Sequence, residues 1–168
     1  MMSKLPFAKI HFYQTIIVAF ISILSLGGCS KYSNEVQANL TKLKKTKACS
    51  GCDLSGIELI SFDLKNADIS GANLKGANLS KSDLTGANLT DTNLNDANLL
   101  GVNLTGATLT NTNLTGVKLS YANISEVEMS NVMLVRAKLN NAKVVNSSIN
   151  YSDMTGANLY NANLTDTR

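Results

Sequence analysis

Three cysteines and one histidine are the most reactive side chains among 168 residues, and their placement bounds the chemistry available. Cys49 and Cys52 form a Cys-x-x-Cys pair. Zinc would want four ligands, and past residue 29 the chain offers no histidine and no further cysteine. A thioredoxin-like role would need a strand–helix–strand context around the pair, and none is apparent. Three readings remain for Cys49 and Cys52: small buried residues, a structural disulfide in an oxidising compartment, or, least favoured, a redox-active pair. His11 is the only histidine, so residues beyond it hold no imidazole base. No phosphate-cradling glycine loop appears. Carboxylates such as Asp53, Asp63 and Asp83 recur at one regular outward position instead of clustering. The sequence therefore predicts no catalytic residue, no metal ligand and no cofactor, and reads as non-enzymatic.

The third cysteine has a different setting. Lys4, Lys9 and His11 precede an apolar run from Phe12 to Leu26, and small residues follow it. A basic start, a short apolar core and small residues at its end make a secretory signal. The run falls short of the roughly 20 apolar residues that a spanning helix needs. Its end, Leu26-Gly27-Gly28-Cys29, resembles the lipobox of bacterial lipoproteins. The resemblance implies cleavage before Cys29, with residues 1–28 as signal peptide and acyl chains, palmitate among them, on Cys29. Several chains on one residue would anchor stably where a single one is marginal. The expected location is the cell envelope, with the membrane as a partner through Cys29. Ser30, where an Asp would retain the protein at the inner membrane, favours the outer membrane facing the periplasm if the cell is Gram-negative. Close behind come Lys42, Lys44, Lys45 and Lys47, a run that suits either a solvated helix face or contact with anionic headgroups.

The elements that hold these groups announce themselves by a repeat of five. From Leu54 to Leu164 an aliphatic residue recurs at every fifth position, 23 times without an insertion. Two residues before each sits a small or apolar residue, usually Ala, as at Ala72 and Ala87. In an α-helix five residues advance by about 500°, so these leucines would spray around the cylinder. In a strand an odd period would send them to alternate faces. A chain that bends once per repeat can send every one inward, which is the signature of a solenoid. Nine of the eleven glycines lie two residues after a central position, where a tight turn often needs positive φ. Aromatic residues are 5% of the chain and Trp is absent, so core bulk must come from Leu, Ile, Val and Ala.

Segments such as Ala72-Asn73-Leu74-Lys75-Gly76 and Ala87-Asn88-Leu89-Thr90-Asp91 resemble the pentapeptide-repeat family, whose pattern is A(N/D)LXX. The resemblance covers residues 49–168 and implies an all-β fold, a right-handed quadrilateral β-helix with one repeat per side and nearly six coils. At about 4.8 Å between neighbouring strands, the solenoid would be roughly 28 Å long. Ahead of it, Val36, Leu40 and Leu43 fall at i, i+4 and i+7, with Asn34 and Glu35 as helix starters. A short capping helix is expected over 35–48, joined to Cys29 by a linker over 29–34. That linker reaches roughly 20 Å.

Departures from the pattern suggest where a partner would bind. Met133 and Val135 flank Leu134 at outward positions, and Ile60, Leu100 and Tyr160 share one outward column if four repeats make a coil. Leu164 is the last central residue, so the final coil should expose core leucines and a strand edge. Family resemblance adds a homodimer through that coil. The best-known activity of the family is DNA mimicry by strongly acidic dimeric rods that occupy DNA gyrase. Residues 49–168 carry eight Lys or Arg against eleven Asp or Glu, which is weak for imitating a duplex with one charge per about 1.7 Å. A lipobox would also place a membrane between this chain and gyrase. The reading that remains is an envelope lipoprotein acting as a structural or protein-interaction scaffold for an unknown envelope protein, with no nucleic acid partner.

Overall fold

The computed structural model describes residues 31–168, so Cys29 and the expected signal peptide over 1–28 lie outside the described residues. The first element, α1, spans Asn34–Thr46. It starts where the Ser33 hydroxyl accepts the Val36 N–H at 3.2 Å, satisfying one of the donors that a helix start leaves open. It stops at Lys47, whose left-handed backbone (φ 53°) aims its N–H at the Leu43 carbonyl, 2.8 Å away. The expected bounds of 35–48 shift accordingly. Ser33 is the capping residue rather than Asn34 or Glu35, which shortens the linker, and Ala48 already belongs to the first ladder. Val36, Leu40 and Leu43 are buried, as their spacing predicts, in one apolar cluster with Cys49, Cys52 and the leucines that follow.

From Ala48 onward, the residue before each inward position pairs in parallel with the residue twenty positions later. One column runs Ala48, Asp68, Asn88, Thr108, Glu128, Ser148, and three more start at Asp53, Glu58 and Asp63. Four columns of six rungs mean four pentapeptides per coil and six coils. Only Glu128–Ser130 (β1) and Ser148–Asn150 (β2) extend to three residues, with Met129 opposite Ile149. Elsewhere the chain bends straight after each pairing, so a molecule built of parallel ladders has almost no continuous strand.

Three main-chain bonds join neighbouring coils on each side. At the second side, Leu54 N–H donates to the Asn73 carbonyl (2.8 Å) and Gly56 N–H to the Lys75 carbonyl (2.9 Å). Asn73 N–H returns to the Cys52 carbonyl at 2.9 Å. At most corners a β-turn closes on the inward residue, as Ala77 N–H does on the Leu74 carbonyl at 3.0 Å. The third residue of every turn from Gly51 to Asp166 has positive φ: nine are Gly, nine Asn or Asp, and six are other residues. This uniform left-handed kink turns the chain by one side per repeat, and so carries every Leu inward. Each fully buried Leu then stabilises the stack by about 1.5–3 kcal/mol.

Candidate interaction faces and the Cys49–Cys52 corner

The first corner is cross-linked. Cys49 and Cys52 occupy two inward positions of one turn, both buried, and are joined by a disulfide with their Cα atoms 5.3 Å apart. The Cys52 N–H donates to the Cys49 carbonyl at 3.2 Å, the same turn bond that the alanine corners make. The pair is thus both buried and bonded in this structure. Among the described residues, no group of three or more His, Cys, Asp or Glu is placed to hold a metal ion.

Many of the outward Asn and Asp side chains are tied into ladders within the fold. Asn73 Nδ2 donates to Asp53 Oδ1 at 3.1 Å, Asn93 to Asn73 at 3.2 Å, and Asn98 to Asn78 at 3.0 Å, each across twenty residues. The same oxygens accept the N–H two residues on, as Asp53 does from Ser55 at 3.1 Å. Such self-bonding is what short polar side chains do beside a turn. It also keeps carboxylates ionised. The Lys47 ammonium at 2.9 Å holds the Asp63 carboxyl below the ordinary value. Hydroxyls of Ser70, Thr85 and Thr155 do the same for Asp68, Asp83 and Asp153. A carboxyl made more acidic suits anchoring, and is the opposite of what a general acid needs.

Some inward positions carry a hydroxyl in place of the alanine methyl. The buried Ser147 hydroxyl accepts the Val127 N–H (3.2 Å) and donates to the Ile124 carbonyl (2.7 Å), sitting inside a turn of the coil before it. Ser82 bridges Phe62 N–H and the Leu59 carbonyl in the same way, and Ser152 bridges Val132 and Met129. These bridged corners carry Phe62, Val127 and Val132 where Ala is usual. Sequence reasoning missed this coupling, although a bulky residue followed twenty positions later by Ser is its signal.

Beside these ladders, several large apolar side chains are exposed. Met133 is 45% exposed and Val135 half-buried on one side of the fifth coil. Ile60, Leu100 and Tyr160 are exposed and share one column at multiples of twenty residues, as expected. Ser80, Ser120 and Asn140 interrupt them, so the column is no continuous stripe. Two exposed aromatics escaped the sequence reading, Tyr121 and Tyr151, because both stand at corner positions usually held by Gly or Asn. In the last coil Ile149, Met154 and Leu159 are half-buried and Leu164 is 42% exposed. The N–H groups of Leu159 and Leu164 have no carbonyl partner among the described residues, whereas the same groups in earlier coils bond nineteen residues ahead. Beside this coil an open depression of about 620 Å³ is edged by Glu126, Glu128, Asp166 and Arg168. Its mixed charges and open form offer no enclosed pocket. No described helix is long and apolar enough to cross a membrane.

A family profile described as pentapeptide repeats, with eight copies, matches residues 49–86, 82–120, 112–150 and 128–166. Among solved structures, the chain is similar to a trypsin-treated form of QnrB1, a plasmid-mediated fluoroquinolone resistance protein, at 24% identity and a TM-score of 0.56. That likeness covers 72% of this chain and 64% of the other. HetL, a pentapeptide repeat protein involved in heterocyst differentiation regulation from Nostoc, is 29% identical with a TM-score of 0.35, covering 71% of this chain and 60% of HetL. A third, alr5209 from Nostoc, is 24% identical with a TM-score of 0.49 over 72% of this chain and 93% of its own. The chain therefore spans less than two thirds of the length of the first two. No curated protein matches. Proteins of this kind form right-handed quadrilateral β-helices and are generally non-enzymatic scaffolds. With the five-residue frame matched from 49 to 166 and the coils paired at twenty, the chain belongs to the pentapeptide-repeat family.

Proposed function

We propose that this chain is an envelope lipoprotein, anchored through acyl chains on Cys29, whose solenoid serves as a non-enzymatic interaction scaffold. The observation that carries the scaffold reading is how the outer surface is divided. The Asn and Asp side chains of its ladders are bonded to one another and to the backbone, while Met133, Tyr151 and Leu164 present exposed apolar or aromatic side chains. Apolar residues of this size, left on a surface otherwise occupied by its own ladders, are what a protein partner would bury. The anchor rests on Leu26-Gly27-Gly28-Cys29, and the Cys49–Cys52 disulfide supports an oxidising compartment such as the periplasm. The half-exposed last coil suits either another envelope protein or a second copy of the chain.

Photo-crosslinking in intact cells from probes at Met133 and Leu164, read by mass spectrometry, tests the scaffold. Recurrent envelope proteins, or the chain itself, are expected at these probes and not at one on Asn141. Equal capture at all three sites would remove the case for a binding face. Palmitate labelling tests the anchor: it should vanish in Cys29→Ala, and an unlabelled wild type would return the chain to the cytoplasm. Gyrase protection by DNA mimicry is the competing reading. Its support is thin, since the likeness to QnrB1 is one of fold and the solenoid's acidic excess is three charges over 120 residues. Supercoiling by gyrase under quinolone, with and without the chain, separates the two.

A further inference from the structure

Charge is divided along this chain. Residues 31–48 hold five lysines against Glu35 alone, whereas 49–168 hold eight Lys or Arg against eleven Asp or Glu. The basic part is α1 and its flanks, and the contacts of this segment run to the first coil on several sides. Asn39 Nδ2 donates to the Asp53 carbonyl at 3.0 Å, and Glu58 N–H donates to the Tyr32 hydroxyl at 3.1 Å. Lys47 pairs with Asp63 at 2.9 Å, and the Lys44 ammonium lies 5.8 Å from the Phe62 ring centre. The helix thus lies over the end of the solenoid with Val36, Leu40 and Leu43 turned into it. At 100° per residue, Ala38, Thr41 and Lys45 fall on the opposite side, with Lys42 on its flank. All four are exposed, and neither Lys42 nor Lys45 engages another side chain among the described residues.

We propose that this outer face of α1, through Lys42 and Lys45, rests on an anionic lipid surface and holds the solenoid end-on to the bilayer. The inference rests on the lipid-anchor reading above. Cys29 is five residues from Asn34, so an anchored chain keeps α1 within roughly 20 Å of the bilayer. Such tethering lets a weak attraction act as an intramolecular one. Anionic headgroups attract lysines only within about a Debye length, near 10 Å. Only the basic end can use that attraction. The acidic residues in contact with α1 and its flanks are Asp53, Glu58 and Asp63 on the first coil and Asp68 on the second, besides Glu35 on the helix itself. The Asp68 carboxylate accepts bonds from Ser70 and Asn88. Asp63 is paired with Lys47, and Asp53 accepts bonds from Ser55 and Asn73. Five steps of about 4.8 Å place the last coil about 24 Å farther out, and the solenoid's acidic excess is repelled by the same surface. Upright is the orientation that satisfies both ends.

The test uses the full lipidated chain, purified from membranes and reconstituted on vesicles of phosphatidylcholine alone or with phosphatidylglycerol. Hydrogen exchange over residues 34–46 reads contact of the helix. Energy transfer to a headgroup dye from a fluorophore on Thr165→Cys reads the height of the last coil. Adding phosphatidylglycerol should slow exchange in α1 several-fold and reduce the transfer. Lys42→Glu with Lys45→Glu, or high salt, should remove both effects. Equal exchange and transfer on the two vesicle types, or effects that persist in the charge-reversed variant, would overturn the docking. Flotation with phosphatidylcholine vesicles reads the anchor by itself. A chain that fails to float overturns the anchor and the docking together, and one that floats but ignores lipid charge overturns the docking alone.

Discussion

Tyr121 sits at a corner with φ of 61° and its side chain exposed. An L-residue with a bulky side chain in the left-handed region costs about 1–2 kcal/mol, and an exposed ring recovers little of it by packing. Asn tolerates this conformation and, unlike Gly, adds little freedom to the unfolded chain. Tyr121→Asn should therefore stabilise the solenoid by about 0.5–1 kcal/mol, read as a higher urea midpoint at unchanged slope. Gly116→Ala should do the reverse. Its φ is 68°, and an added methyl would run into the Asp96 carboxylate, so a loss of about 1–2 kcal/mol is expected. A neutral Gly116→Ala would mean that the Asp96 side chain swings aside and that the backbone preference counts for little. The corner rule itself was half legible in the sequence. Nine glycines two residues after an inward position pointed to positive φ, but Lys, Tyr, Glu and Arg at the same place gave no such hint. There the stacked coils impose a conformation that the residue does not favour.

At the scale of the element, the first corner and α1 act together. The disulfide closes a loop of four residues, for which chain entropy gives about 2 kcal/mol, so Cys49→Ala with Cys52→Ala should lower the stability by that amount, read as a lower urea midpoint. Leu43→Ala, which empties a fully buried position under the helix, should cost about 2–5 kcal/mol. It should also speed hydrogen exchange at Leu54, which belongs to the same buried cluster. If exchange at Leu54 is unmoved, the helix contributes little to the first coil. The carboxylate ladders make a separate prediction in pH. Asp63, Asp68, Asp83 and Asp153 have folded values below the ordinary one. The stability they contribute is complete above the ordinary carboxylate value, about pH 4, and is lost as pH falls through the lower folded values. A midpoint that stays level from pH 4 to pH 2 would show these bonds to be no stronger in the fold than in the open chain. The helix was legible because its apolar spacing is periodic. Its start was misplaced because Ser33, Asn34 and Glu35 are all fit for a helix start, and only the hydroxyl-to-Val36 bond decides among them.

The whole solenoid is a one-dimensional stack, in which each coil is held only by its neighbours. Its architecture was legible because each interior coil repeats one chemical instruction, while the serine-bridged corners, which couple residues twenty apart, were not. Among the described residues two coils have a single coil neighbour, and they differ from each other. The first is overlaid by α1, cross-linked at Cys49–Cys52, and given an acceptor for Glu58 N–H by the Tyr32 hydroxyl. The last leaves Leu164 42% exposed and the N–H groups of Leu159 and Leu164 without a carbonyl among the described residues. Opening it alone loses one coil–coil interface, whereas opening any interior coil loses two. Native-state hydrogen exchange should therefore be fastest in residues 149–168 and slower in each coil before them, reaching the global rate by the middle of the stack. The first coil should exchange nearly as slowly as the middle ones. Uniform protection along the chain would show that the six coils unfold as one cooperative unit, and that the exposed end has no independent freedom to open. The gradient also bears on binding. A partner or second copy that covers Leu164 should slow exchange in the last coil first and leave the first coil unchanged, which identifies the occupied end without a structure of the complex.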